Sequence, residues 1–358
     1  YLFGLAYVRS NSDFRPAFLD GNWSLIGFPD FFLRSFFYKT PLPMLGLLIM
    51  AAIAAILWQR RPDSDRARVR DVFYRLAPLW SLLLVYGAFA VSARLNIGHR
   101  HILPIYPVLF VSCGACAWFF RSRDLRWAAA LVPLLVVWQI AEAIVIAPDY
   151  LAYFNEAAGG PRTGYKHLVD SSLDWGQDLP ALKKLLDDRQ HHPGPEAPIY
   201  LAYFGTGKPE HYGTNAIMLG NNSPTSDGRP EALRGGLYCI SATTLQQVYA
   251  RPMGAWAAPY ESLYQLLRSE FAPPAPPAAD PGRAARLLFF RQLRFARLCS
   301  ALRHRVPIAE AGSSILLFDV SDAELAQALD GPPVELVPEP QVDGLDQLEA
   351  RNKAAPER

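Results

Sequence analysis

The hydrophobic positions of this chain are crowded into residues 42–147, where four apolar runs, roughly 42–58, 76–92, 102–120 and 127–147, follow one another with short polar breaks. Each run is about 16–21 residues, close to the ~20 that cross a ~30 Å hydrocarbon core, so the pattern predicts four membrane-spanning helices. The break Gln59–Arg75 carries Arg60, Arg61, Arg66, Arg68, Arg70 and Arg75, and the break after the third run reads Arg121-Ser-Arg-Asp-Leu-Arg126. Short arginine-rich loops stay on the cytoplasmic side. The turn between the second and third runs, residues 1–41, and everything after 147 then face outward.

Outside the runs the pattern changes. Residues 1–41 open with the apolar octet Tyr1–Val8, pass through a polar, turn-rich piece and reach Phe28–Pro43, where aromatics alternate with Asp30, Arg34 and Lys39. That mixture predicts an interfacial helix with its rings at headgroup depth, or else the wet end of the next span. After Ala147 comes an aromatic exit, Asp149–Glu156, and the break Gly159-Gly-Pro161. Helices are expected at 165–169, 177–190, 243–249, 260–269 and 284–304. Strands are expected at 198–204, 237–241, 306–309 and 313–320, with Gly312 at the turn of the last pair. Ser321-Asp-Ala-Glu324 fits a capping box opening a final helix. Alternating strands and helices make this an α/β domain. The expected architecture is a polytopic α-helical membrane region followed by a soluble α/β domain. Residues 1–41 form an outer-face segment, 42–147 the transmembrane region, 148–330 the periplasmic α/β domain and 331–358 a flexible tail.

Composition adds bounds. With 358 residues, 35 Lys and Arg against 33 Asp and Glu and a net charge of +2, the chain has no basic excess for nucleic acid. No charged n-region and cleavage site follow Tyr1, so a signal peptide is not expected, and a start that is not Met reads as the C-terminal portion of something longer. Cys113 and Cys116 form a C-x-x-C inside an apolar run beside Ser112, Gly114 and Ala115, where close helix packing explains them better than redox chemistry. Cys239 and Cys299 could pair if their domain is exported.

Two stretches suggest chemistry. Arg94-Leu-Asn-Ile-Gly-His-Arg-His101 sets Arg94, His99, Arg100 and His101 at the lip of the third run, where cations cost desolvation unless an anion or water receives them. Pro104 and Pro107 break the first turns of that run, as suits a helix end lining a cavity. Arginine on an outward lip runs against the positive-inside rule and points to a lipid phosphate. Lys39 faces the same way, to bind phosphate or to snorkel. The second stretch, Asp170-Ser-Ser-Leu-Asp-Trp-Gly-Gln-Asp178, offers Asp170, Asp174, Trp175 and Gln177 for a sugar or acceptor. Asp174 and Gln177 are equally explained as a capping box. Gly205-Thr-Gly207-Lys208 lacks the spacing of a phosphate loop and reads as a plain turn. His191-His192 stands in a polar loop without further zinc ligands, and the sequons at Asn22 and Asn221 matter only in a eukaryotic secretory setting.

Several segments together carry a resemblance: Arg15-Pro-Ala-Phe-Leu19, Lys39-Thr-Pro-Leu-Pro43, Asn96–Pro107, Tyr153-Phe-Asn-Glu156 with Gly159-Gly-Pro161, Leu168–Leu179 and Ile240–Gln246. Over about residues 1–320 the chain resembles the bacterial phospholipid-carrier-dependent glycosyltransferases, related to the protein O-mannosyltransferases and aminoarabinose transferases of the C-type glycosyltransferase superfamily. The resemblance implies a multi-pass enzyme of the bacterial inner membrane that moves a sugar from a polyprenyl-phosphate donor to a protein or glycolipid acceptor on the periplasmic face. A divalent metal requirement stays open. The superfamily's catalytic carboxylate lies in a first outer loop upstream of this stretch, so no catalytic residue is assigned and the stretch alone is expected to be inactive. By the same resemblance Lys39, Arg94, Arg100 and His101 would hold the donor phosphate. His99 stands where family members often carry a hydrophobic residue, and its role is not assigned. Two other classes fit the pattern, a membrane-anchored periplasmic binding or scaffold protein and a lipid or glycan transporter.

Overall fold

The computed structural model describes residue 4 and residues 14–60, 66–121, 125–188, 197–220, 230, 232–272 and 282–348. The chain divides into two compact units, Phe28–Gly164 and the remainder on either side of it in sequence.

The first unit is helical. Helix α1 (Phe31–Lys39) buries Phe31, Phe32 and Ser35 on one face and stops at Thr40, before Pro41. Helix α2 (Leu42–Gln59) begins with Pro43 in its first turn, where a missing N–H costs nothing. Helix α3 (Arg66–Arg75) leads into α4 (Ala77–Ser92). The next helical stretch, His99–Arg121, is composite: a 3-10 segment His99–Ile105 containing Pro104, then α5 (Tyr106–Cys113), then a 3-10 segment Gly114–Arg121. Helix α6 (Arg126–Ile146) completes the set. Among the described residues, three helices are long and apolar enough to cross a membrane, namely Leu42–Gln59, His99–Arg121 and Arg126–Ile146, while Ala77–Ser92 is shorter. These helices are compatible with a multi-pass membrane protein.

Small residues let the helices approach. Met50, Ala51 and Ala54 of α2 pack on Cys116, Phe119, Ala128 and Leu135. Gly46 faces Leu135, whose methyl groups would lie 3.4 Å from a Cβ there. Cys116 donates to the Leu47 carbonyl at 3.4 Å, so packing accounts for the C-x-x-C.

The second unit contains a five-stranded sheet of order β4-β3-β5-β7-β6, built from β3 (Ile199–Ala202), β4 (Ile217–Met218), β5 (Gly236–Ser241), β6 (Ala309–Ala311) and β7 (Ile315–Val320). Strands β4, β3 and β5 run parallel, and β7 pairs antiparallel with β5 and β6. Every residue of β5 is buried, as a central strand requires. Helix α7 (Leu179–Asp187) lays Leu179, Leu182 and Leu186, an i, i+3, i+7 stripe, onto Leu201, Leu237, Cys239 and Leu317. Helix α8 (Ala242–Leu245) follows β5 and ends early, because Gln247 takes φ 53° and cannot continue the helix expected to Tyr249. Helices α9 (Ala258–Glu270) and α10 (Arg283–Leu302) share a cluster of Trp256, Tyr264, Leu267, Phe290 and Leu293. Helix α11 (Asp322–Asp330) opens on the expected capping box, with Ser321 and Glu324 bonded reciprocally.

The domain boundaries differ from those expected at three places. Residues 14–27 belong with the α/β unit, where β1 (Ala17–Leu19) and β2 (Asn22–Ser24) form a hairpin across Asp20 and Gly21, both at positive φ. Trp23 is buried and its indole donates to the Gln246 carbonyl at 2.7 Å, which fixes the hairpin. Residues 148–164 belong with the helical unit, because Asn155 bonds the end of α1. Residues 331–348, read from composition as part of a flexible tail, are built into the fold. The Gly331 carbonyl accepts from the buried Arg297, and Glu335 pairs with Arg303 at 3.0 Å. Val337 exchanges backbone bonds with Trp256 and Ala258, and β8 (Val342–Asp343) runs parallel to β2. One charge there, Glu335, partners Arg303, and a backbone carbonyl there partners the buried Arg297, which composition alone does not reveal. Cys239 and Cys299 are free and buried, not paired.

Candidate functional site

In the helical unit the candidate residues sit at one end. Ser35 and Lys39 are four apart on α1 and share a face. His99 opens the 3-10 segment and Tyr106, seven residues on, opens α5. Ser35 Oγ lies 2.9 Å from His99 Nδ1, Tyr106 Oη lies 2.9 Å from His99 Nε2, and Thr40 Oγ1 lies 2.6 Å from Tyr106 Oη. Both ring nitrogens of His99 are therefore engaged, and the chain Ser35–His99–Tyr106–Thr40 ties α1 to the start of α5. Asn155 caps the end of α1: its amide donates to the Phe37 and Thr40 carbonyls, and its N–H to Tyr38.

Lys39 stands beside this chain. Its Nζ donates to the Leu151 carbonyl at 2.8 Å and lies 3.8 Å from the centroid of the Phe154 ring. Among the described residues no carboxylate is within ion-pair distance of it. The side chain keeps some access to solvent, yet burial of the ammonium pushes its pKa well below the usual lysine value. Its charge also reaches His99.

The other members of the expected phosphate lip are placed differently. His99, Arg100 and His101 are already helical rather than in a turn. His101 sets its ring edge-on to Phe32, with centroids 6.3 Å apart, and its carbonyl accepts from Tyr86 Oη at 2.6 Å. Arg94 precedes that stretch in non-helical backbone, and both Arg94 and Arg100 have exposed side chains. The residue that organises this end is His99, which the sequence left without a role. Its seven-residue spacing to Tyr106 was the available signal.

An apolar groove of about 730 Å³ opens farther along the same helices, lined by Leu48, Ala51, Leu79, Leu83, Val108 and Trp118 among others. Leu48 lies about two turns beyond Thr40 at ~3.6 residues per turn.

In the α/β unit, Asp170–Asp178 folds as a loop braced by its own carboxylates. Asp170, at φ 53°, accepts from the Ser171 N–H at 2.6 Å and from the Tyr249 hydroxyl, while its N–H donates to Thr243 Oγ1 at 2.9 Å. Asp174 is fully buried and accepts from the N–H groups of Thr243 and Gly176 at 3.2 and 3.4 Å. Burial pushes its carboxyl up to about 7, and these two N–H donors only partly offset that. Gln177 accepts from the Trp175 N–H and donates to Leu173 and Asp178. Helix α7 starts at Leu179, with no side-chain cap from Asp178. The capping box expected of Asp174 and Gln177 is therefore absent, because Asp174 is drawn instead to the N–H of Thr243. Trp175 is 54% exposed. The four candidate residues do not form one sugar cup: Asp170 and Asp174 reach Tyr249 and Thr243, Gln177 braces the loop, and Trp175 faces solvent. The loop is seated by Gly205 after β3, where a Cβ would stand 2.8 Å from Gly176 Cα, so the expected plain turn at 205–208 has a packing role.

His191, His192 and Asn221 lie outside the described residues. Among the described residues no group of three or more His, Cys, Asp or Glu is placed to hold a metal ion. Compared with known protein families, with curated proteins and with solved structures, the chain matches none.

Proposed function

We propose that this chain is part of an integral membrane glycosyltransferase of the bacterial inner membrane. It takes a sugar from a polyprenyl-phosphate donor on the periplasmic face, with four spans anchoring the α/β domain there. The observation that carries the reading is Lys39, a partly desolvated cation without a carboxylate partner at the polar end of an apolar helical unit. Such a cation binds an anion more strongly than a solvated one does.

The donor's phosphate is received by Lys39, with the Ser35–His99–Tyr106–Thr40 chain holding α1 in place. Its isoprenoid tail follows the apolar groove that begins near Leu48 and Val108. Transfer breaks the bond between the anomeric carbon and the phosphate oxygen and forms a bond to the acceptor oxygen. Negative charge grows on the departing phosphate, and Lys39 neutralises it there. No carboxylate stands beside Lys39 among the described residues, so the acceptor's proton leaves to a group outside this cluster. Arg94 and Arg100, both exposed, guide the headgroup from the rim.

The test is transfer of labelled sugar by the full-length protein in membranes, offered several polyprenyl-phosphate sugars in turn. The expected result is transfer from at least one of them. A well-folded, membrane-inserted protein that transfers from none would overturn the reading.

A further inference from the structure

Residues 150–156, which follow α6, commit their groups to α1 and α6. The Leu151 carbonyl accepts from Lys39 Nζ at 2.8 Å, and the Tyr153 hydroxyl donates to Glu142 of α6. Asn155 is buried, and it donates from its amide to the Phe37 and Thr40 carbonyls and from its N–H to that of Tyr38. A lysine in the last turn of a helix can bond those final carbonyls itself. Here Asn155 takes that part, and Lys39 leans away from its own helix onto the segment that follows α6.

What Lys39 meets there is the Phe154 ring. The ring is buried, and Nζ lies 3.8 Å from its centroid, well inside the ~6 Å over which a ring face attracts a cation. Gly164 seats the ring, because a Cβ at that position would overlap its carbons. The ammonium thus gives one N–H to the Leu151 carbonyl and sets its charge against the ring face. A carboxylate in the place of the ring would also stabilise the cation, but it would neutralise it and compete with any arriving anion. A ring face attracts the charge and leaves it uncancelled.

The titratable groups around this seat come from three elements. His99 and Tyr106 belong to the next helical stretch, Tyr153 and Glu156 to the segment after α6, and Glu142 to α6 itself. The Lys39 charge reaches His99, Tyr106 acts on Tyr153, and Glu142 lies beside both Tyr153 and Glu156.

We propose that Phe154 is a positioning residue for Lys39, its ring face keeping the half-buried ammonium charged and holding it at the Leu151 carbonyl. The inference rests on the reading of Lys39 as the cation that receives the donor phosphate. A neutral amine there would neither attract a phosphate nor offset the charge on a leaving group. The ring therefore sets how much of the site is ready at a given pH.

The experiment is labelling of Lys39 by an amine-reactive reagent across a pH series, in the full-length protein in nanodiscs, read by mass spectrometry. Only the neutral amine reacts, so the labelling midpoint follows the charge. Phe154→Leu removes the ring face and keeps apolar bulk, while mono-, di- and trifluorinated phenylalanine at position 154 weaken that face at nearly constant size. The ring favours the charged form, so weakening it moves the midpoint to lower pH. The expected fall is about 0.4–1.5 pH units for Phe154→Leu, approached stepwise with each fluorine at an unchanged thermal midpoint. Glu142→Gln, the control for a carboxylate acting through space, should shift it less. Two results would overturn the proposal: a midpoint that trifluorination leaves in place in the folded protein, or a larger shift from Glu142→Gln than from Phe154→Leu. Labelling needs no donor lipid, so a fixed midpoint sinks the Phe154 seat alone, whereas absent sugar transfer sinks the glycosyltransferase reading.

Discussion

The two units of this chain sort their hydrophobic and polar groups in opposite ways. The α/β unit buries Leu201, Leu237, Tyr238 and Leu317 completely or nearly so, and the ionisable groups it buries, Asp174 and Arg297 among them, are hydrogen-bonded within it. The helical unit keeps Leu84 and Val145 at 73% and 83% exposed and gathers Ser35, His99, Tyr106 and Thr40 into a bonded chain at one end. A large exposed apolar surface is unfavourable in water and neutral in lipid. The contrast fits one unit folded in water and another whose helices are compatible with a membrane. It also separates two titratable groups: Asp174, fully buried in the α/β unit, is pushed towards holding its proton, whereas the half-buried Lys39 of the helical unit donates to the Leu151 carbonyl.

The comparison is sharpened most by the largest changes. Leu201→Ala empties space under α7, and the α/β unit should lose about 2–5 kcal/mol by chemical denaturation. A loss under about 1 kcal/mol would mean that this core is not packed as described. Val137→Lys, at a 62% exposed position midway along α6, should cost about 2.5–3.5 kcal/mol of membrane insertion. Insertion equal to wild type in a glycosylation-tag assay would say that α6 does not sit in a hydrocarbon core.

Asp174 gives a pH signature of intermediate size. Its carboxyl is raised to about 7 in the folded state against about 3.9 when unfolded. Between those values the folded protein keeps a proton that the unfolded chain has lost. Stability therefore falls as pH rises through that window and levels off above it, at up to about 1.4 kcal/mol per pH unit. Asp174→Asn should flatten that slope in denaturation midpoints taken from pH 4 to 8, while keeping an acceptor for Thr243 N–H. An unaltered slope would show that another group governs it. The smallest effect is Tyr106→Phe, which removes the hydroxyl shared by His99 and Thr40. It should lower the thermal stability of the helical unit by about 1 kcal/mol without removing Lys39's function.

What the sequence made legible follows from locality. The apolar runs at 42–58 and 127–147 correspond to Leu42–Gln59 and Arg126–Ile146 within a residue or two, and the Ser321 capping box is four residues of local chemistry. The small sheet was illegible because β2 and β8 pair across more than three hundred residues, each only two or three long. The helical end was half legible. Lys39 stood out as a cation beside apolar sequence, but the partner of His99 is Ser35, 64 positions away. In the α/β unit the carboxylates of 170–178 were conspicuous. Their attachment to Thr243 and Tyr249 depends on how two loops meet at the sheet, which no periodicity in either loop records.

The most direct test of the central claim compares Lys39→Ala with Arg100→Ala in the full-length protein in membranes, measuring sugar transfer from a polyprenyl-phosphate donor at matched protein levels. Loss of a desolvated charge contact of about 2.7–4 kcal/mol corresponds to a fall of roughly a hundredfold to a thousandfold for Lys39→Ala. Arg100→Ala, which removes an exposed charge, should fall less than about tenfold. Transfer by Lys39→Ala at the wild-type rate would contradict the account.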